Sequence, residues 1–262
     1  AIQRVAPDVW IWTGGIVYGD TEDMLLLRSK YAAQKVQPDY AALAASCAVI
    51  GVWDDHDYGL NNGGKEYPRR AESQQVLLDF LDVPTDSPRR SRAGAYASHI
   101  YGSGDRQVRV ILLDARYHRD PPGQSADVLG AEQWSWLEQQ LTTSQARLNI
   151  IVSGIQVLSA EHPYEKWANF PQSRQRLLDL VRSSSARGVL FLSGDRHLAE
   201  ISRLESTDHE PLYDVTSSGL THAYTSYPGE PNSLRLGDVY YRLNFGLLAI
   251  DWHTEPAVVD LE

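Results

Sequence analysis

Ala48-Val49-Ile50-Gly51-Val52-Trp53-Asp54-Asp55-His56-Asp57-Tyr58-Gly59 is the stretch from which the rest of the chain is read. An apolar run stops abruptly at three carboxylates and an imidazole within four positions. That pattern predicts a buried strand delivering polar groups at its end. No folding requirement is expected to call for so much charge there. Carboxylates beside a neutral imidazole are the donors of a hard or borderline metal ion, and they are also groups that move protons. The stretch points to a hydrolase.

The arrangement recurs. Gly188-Val189-Leu190-Phe191-Leu192 runs into Ser193-Gly194-Asp195-Arg196-His197, so a second strand ends in an Asp-x-His pair able to aim two ligands at one ion. Val110-Ile111-Leu112-Leu113 is followed by Asp114-Ala115-Arg116-Tyr117-His118-Arg119-Asp120. Arg116 and Arg119 either grip an anion in bidentate fashion or form internal ion pairs with Asp114 or Asp120. Tyr18, in Tyr18-Gly19-Asp20-Thr21, is a phenolate ligand or a packing residue. Gln156, after Ile150-Ile151-Val152-Ser153-Gly154-Ile155, offers an amide oxygen acceptable to a hard cation. Taken singly, His162, His222 and His253 read as structural, His99 as a packing residue within a strand, and His209 as solvent-exposed.

Around these sites short apolar runs alternate with helical periodicity. Strands are predicted at 9–12, 48–53, 96–101, 108–114, 149–153, 189–193, 246–252 and 257–261. Helices are predicted at 22–35, 39–46, 71–81, 130–141 and 172–183, with a Pro/Ser/Arg-rich loop at 83–92. The first residues read as the tail of a helix running into Pro7-Asp8. No linker, repeat or low-complexity tract interrupts the chain, so residues 1–262 are expected to form one domain of layered α/β architecture.

Composition narrows the function further. A net charge of −10, with no basic stripe, argues against nucleic acid or an anionic membrane as partner. No apolar run approaches the length of a membrane span, and no protein partner is indicated. The single cysteine, Cys47, excludes an intrachain disulfide and any cysteine cluster, and it reads as a small core residue. There is no Gly-x-Ser-x-Gly elbow, no phosphate-binding Lys-Ser/Thr loop and no dinucleotide fingerprint.

With these residues in hand, the chain resembles the PhoD-like (alkaline phosphatase D) family of the calcineurin-like metallophosphatase superfamily. The resemblance is carried by Pro7–Trp12, Val17–Thr21, Val52–Gly59, Leu112–Tyr117 and Leu192–His197. It implies a four-layer αββα sandwich of two mixed sheets flanked by helices, and hydrolysis of phosphate mono- and diesters. It implies Asp55 and Asp195 as metal ligands, His197 and Tyr18 on a neighbouring position, and Gln156 as a further ligand. His56, Arg116 and His197 would be catalytic, with Arg116, Asp54 and His222 as substrate contacts. A periplasmic or secreted location is implied by the resemblance alone.

Two departures accompany the matches. The family begins with a strand ending in Gly-Ser-Cys, whose cysteine is a ligand, and this chain begins after that point. Its bridging Gly-Asp-Asn reads Gly14-Gly15-Ile16 here, so the bridging carboxylate is replaced by Gly15. The expectation is therefore one weakly held divalent cation (Ca, Mg, Mn or Zn) rather than a binuclear centre. The substrate would be a small ester, either a phosphoester or a short-chain carboxylic ester. The alternatives are a metal-free esterase using His56 or His197, with Ser153 or Ser193 as nucleophile, and an inactive relic that binds or scaffolds.

Overall fold

The computed structural model describes residues 2–254 and 258–261. A one-turn helix α1 (Ile2–Val5) leads into β1 (Val9–Thr13), which pairs in parallel with β2 (Ala48–Val52). Between them lie α2 (Met24–Lys35) and α3 (Pro38–Ala44). Asp23 caps α2 by accepting from the N–H groups of Leu25 and Leu26 at 2.8 and 3.2 Å, so the helix starts two residues later than the periodicity predicts. Pro38 sits in the first turn of α3, where its missing N–H costs nothing. After β2 come a one-turn helix α4 (Asp55–Tyr58) and α5 (Arg70–Phe80). The 83–92 loop holds a short 3-10 turn at Pro88–Arg90.

The remaining strands are β3 (Ala97–Tyr101), β4 (Val108–Leu112), β5 (Leu148–Ser153), β6 (Val189–Ser193), β7 (Ala199–Leu204), β8 (Leu212–Ser217) and β9 (Arg235–Tyr240). They form one seven-stranded sheet in the order β3-β4-β5-β6-β8-β7-β9. Its centre is parallel from β4 through β5 and β6 to β8, and the flanking pairs are antiparallel. Helices α6 (Gly130–Thr142) and α7 (Pro171–Ser183) make the crossovers. Finally β10 (Leu248–Asp251) and β11 (Val258–Leu261) form an antiparallel hairpin. The last predicted strand opens at Ala257, which lies outside the described residues.

Alternation along the central strands divides the core into two. Val110, Leu112, Ile150, Val152, Leu190 and Leu192 face β1 and β2 and join Trp12, Ile50 and Val52, together with Leu27, Tyr31, Leu77 and Phe80 from α2 and α5. Ile111, Leu113, Ile151 and Phe191 point the other way, onto Trp134 and Leu137 of α6 and Leu177 and Val181 of α7. The layers run helix, sheet, sheet, helix, as a strand buried on both faces requires. The second sheet is two separate pieces, β1-β2 and β10-β11, rather than one continuous mixed sheet.

Strands β7 and β8 escape the apolar pattern because inward positions are polar, and β9 is a largely exposed strand at the sheet edge. Glu200, Ser202, Asp214 and Thr216 are all buried. Cys47 is half-buried rather than core, with its thiol near the carbonyl of Leu43 at the end of α3.

Candidate active site

The ends of β1, β2, β5 and β6 converge, and glycine makes the convergence possible. A side chain at Gly14 would meet Cβ of Asp54 at 2.3 Å, and one at Gly154 would meet the Asp54 carboxylate at 2.4 Å. Asp54, Asp55 and Asp195 are thereby packed so that one oxygen from each lies within 4.8 Å of the others. Asp195 takes a left-handed backbone, φ 68°, as does His197 at φ 54°. Non-glycine residues hold such conformations only where surrounding structure enforces them.

Three carboxylates this close oppose one another's ionisation. Burial, and then the charge of Asp55, push the Asp195 carboxyl up to about 7. Asp55 goes the other way. Despite its burial, Arg116 and the N–H groups of Asn62 and His56 hold it below its ordinary value. Those two N–H groups sit 2.9 and 2.7 Å from its oxygens. A cation between the three would relieve the crowding. Gln156 is fully buried, its Nε2 donates to Glu200 and Thr216 at 2.7 and 2.8 Å, and its Oε1 is an oxygen donor with no hydrogen-bond partner among the described residues. Oxygen donors of this kind fit a hard divalent ion.

Of the three carboxylates in the opening run, the structure gives Asp57 to the fold. It accepts from N–H of Asp54 at 2.7 Å and from N–H of Ile16 at 3.2 Å, tying the end of β1 to the start of α4. The expectation that folding would not call for this charge is corrected at that position. Burial pushes Asp57 up to about 8.

Arg116, expected as a catalytic residue and a substrate contact, lies inside the protein. It is wholly buried, and its guanidinium donates to Asp54 at 2.9 and 2.5 Å, to the Gly63 carbonyl at 3.2 Å, and pairs with Glu165. Against desolvation, those carboxylates keep it charged, its pKa well above the ordinary value. Arg119 also pairs with Glu165. Among the described residues neither guanidinium makes the local ion pair with Asp114 or Asp120 weighed from sequence, and Arg116 meets Asp114 only through its backbone N–H. Asp114 instead accepts from Trp53, Ala95, Arg116 and Tyr117, and Asp120 pairs with Lys65. Asp54, also expected at the substrate, is buried in the carboxylate cluster.

The imidazoles gather on the open side. The Tyr18 hydroxyl is 2.9 Å from Nε2 of His197. Its ring lies 4.4 Å from that of His56 and 5.0 Å from that of His222. Burial and then Asp55 and Asp195 raise the phenol, which therefore stays protonated. Burial, and then His222 and His56, lower His197. His56 is held through Nδ1 by Asp20 at 2.8 Å, which leaves its other ring nitrogen out of that pair. Asp20 and Glu165 are the partners that sequence reading gave no role. Asp20 stood within a quoted segment, and Glu165 carried no local signal at all.

Both candidate serine nucleophiles are otherwise engaged. Ser153 accepts from the Trp167 indole at 3.0 Å, and Ser193 donates to Asp214 at 2.8 Å. Opposite the carboxylates, Gly15 has φ 64° and nothing within 4 Å of where a Cβ would stand.

A family model described as PhoD-like phosphatase matches residues 3–230. Alkaline phosphatase D of Bacillus subtilis (strain 168) is 24% identical over 229 residues, covering 73% of this chain and 39% of the relative. The chain thus spans about two fifths of that relative's length. Among solved structures, that of PhoD superposes with a TM-score of 0.69 at 20% identity, covering 83% of this chain and 53% of the other. A purple acid phosphatase, PPD1, from yellow lupin (Lupinus luteus) seeds superposes with a TM-score of 0.60 at 15% identity, covering 95% and 43%. At these identities the structural likeness is one of fold. No helix among the described residues is long and apolar enough to cross a membrane.

Proposed function

The chain belongs to the PhoD-like phosphatase family, and on that premise we propose that it is a metal-dependent hydrolase of small esters with a reduced, mononuclear metal position. The observation that carries this reading is the asymmetry of the site. Asp54, Asp55 and Asp195 converge on one side, while the other presents Gly15 with open space where a carboxylate would stand. Asp55 and Asp195 would hold the cation, with Asp54 and Gln156 completing its oxygen donors. When bound, the ion supplies a Lewis acid and charge stabilisation. Tyr18 and His197, without a carboxylate between them, make a poor second position.

The remaining work falls to the side chains. His56, oriented by Asp20, and His197, bonded to Tyr18, would hold or move a proton. His222 forms the exposed rim where the leaving group would lie. Arg116 acts at one remove, holding Asp54 in place. Phosphate monoesters, as dianions, lean on two cations and should be the poorest substrates. Activated phosphodiesters and short carboxylic esters demand less. No single observation favours a metal-free esterase, and the engaged hydroxyls of Ser153 and Ser193 weigh against one.

A chromogenic panel of phosphomonoesters, phosphodiesters and carboxylic esters, run with and without chelator alongside elemental analysis, tests this. The expected result is chelator-sensitive turnover with about one cation per chain. Two firmly held ions per chain, or turnover indifferent to chelator, would overturn it.

A further inference from the structure

Glu165 joins two buried arginines. Its Oε2 pairs with Arg116 and its Oε1 with Arg119, whose side chains are 0% and 1% exposed. From there two paths lead to the carboxylate cluster. Along the first, Arg116 donates from both Nε and Nη2 to a single oxygen of Asp54, Oδ1, at 2.9 and 2.5 Å. Along the second, Arg119 donates to the carbonyls of Asn62 and Gly63, the latter at 2.9 Å. Asn62 in turn donates its N–H to Oδ2 of Asp55 at 2.9 Å. The Asn62 backbone is left-handed, φ 51°, a conformation that asparagine enters more readily than most residues and that the bond from Arg119 pins. Buried ion pairs add little net stability over apolar packing of the same volume, so stability alone does not account for this arrangement.

We propose that Glu165 is a positioning residue for the cation site, acting on Asp54 through Arg116 and on Asp55 through Arg119 and the Asn62 backbone. The proposal rests on the reading of Asp54, Asp55 and Asp195 as oxygen donors to one cation. An arginine facing a carboxylate commonly closes on both of its oxygens as a fork. Here Glu165 engages Nη2, and both bonds to Asp54 fall on Oδ1, so Oδ2 stays outside the grip of the arginine. Asp55 is fixed at both oxygens, by the N–H groups of Asn62 and His56, which sets the direction of its remaining lone pairs. Without Glu165, two buried guanidiniums that both reach the Gly63 carbonyl would lose the carboxylate between them. Arg116 would then close on both oxygens of Asp54, and Arg119 would release the Asn62 turn.

Calorimetric titration of Mn²⁺ into the chelator-treated 262-residue protein tests this. Glu165→Gln keeps the size of the side chain and removes its charge. It should weaken Mn²⁺ binding by about tenfold or more, as loss of an outer partner of a metal does. Arg119→Lys keeps the charge but loses the fork that spans Glu165 and the two carbonyls. This milder variant should weaken Mn²⁺ by a smaller factor, and it carries the test by itself if Glu165→Gln does not fold. Added to Glu165→Gln it should weaken binding no further, because both act along one path. A Glu165→Gln protein that melts lower yet binds Mn²⁺ as tightly as the parent assigns the residue to the fold alone, which overturns the proposal while the one-cation reading stands. Additive losses, or unchanged binding by Arg119→Lys, overturn it as well. A parent that takes up no Mn²⁺ overturns the one-cation reading and the proposal with it.

Discussion

Two neighbouring strand ends form opposite walls of the site. β1 and β2 are parallel partners in register from Val9 with Ala48 to Thr13 with Val52. At the end of β2 stand Asp54 and Asp55, and at the end of β1 stand Gly14 and Gly15. The backbone geometry on the glycine side is intact: Ile16 still donates to Asp57, and Gly14 still makes room for Asp54. On the reduced-site reading proposed above, the fold would keep the place of a ligand without its side chain, because the place is made by backbone packing and the ligand by one residue.

The largest expected effect is on the carboxylate wall. Asp55→Asn should lower chelator-sensitive turnover by more than the roughly 10- to 100-fold typical of outer partners of a metal, with an unchanged melting profile. A loss that chelator does not match would detach the wall from the chemistry.

Support for that wall comes next. Arg116→Met leaves Asp54 and Glu165 buried without their shared cation, and breaking such a pair costs about 3–5 kcal/mol. Urea denaturation reads this directly, and a variant as stable as the parent would show that the two carboxylates are held by something else.

Acid titration separates the wall from the loop behind it. His162 is buried with both ring nitrogens unpartnered, and desolvation, then Arg196, Lys166 and Arg235, lower it from 6.5 to about 3. The unfolded chain therefore binds this proton first. Stability is whole above pH 6.5 and is lost as pH falls toward about 3, by up to about 1.4 kcal/mol per pH unit. His162→Phe should flatten that slope, with metal present or removed. An unchanged slope would assign the acid sensitivity to other groups.

The smallest change rebuilds the glycine wall. Asp tolerates a left-handed backbone better than most residues, and Gly15 has both φ 64° and the space. Gly15→Asp should tighten the cation by about tenfold and draw in a second, since affinity follows the count of charged ligands. Calorimetry and metal analysis would show it, and unchanged stoichiometry would mean the wall lacks more than this carboxylate.

Much of this was legible before the structure. Apolar runs ending in polar clusters are local signals, and they located β1, β2, β4, β5 and β6 together with Asp55, His56, Asp195 and His197. Strands β7 and β8 were not legible, because Glu200, Asp214 and Thr216 turn polar atoms inward to hold Gln156 and the loop at Val157–Leu158. A pattern rule that assumes apolar residues face inward cannot find such a strand.

By itself, then, the order of residues determined where strands end and which chemical groups stand there, since alternation and turn chemistry act over a few positions. It also determined that Gly15 carries no carboxylate. Only the tertiary structure decided what each charge is for. Asp57 went to the fold, Arg116 into a buried pair with Asp54 and Glu165, and Asp20 onto His56. The reason is physical: a charged side chain takes its role from the partner that burial brings within about 3 Å, and apart from the Asp54 N–H, three positions from Asp57, those partners are residues 36 to 62 positions away.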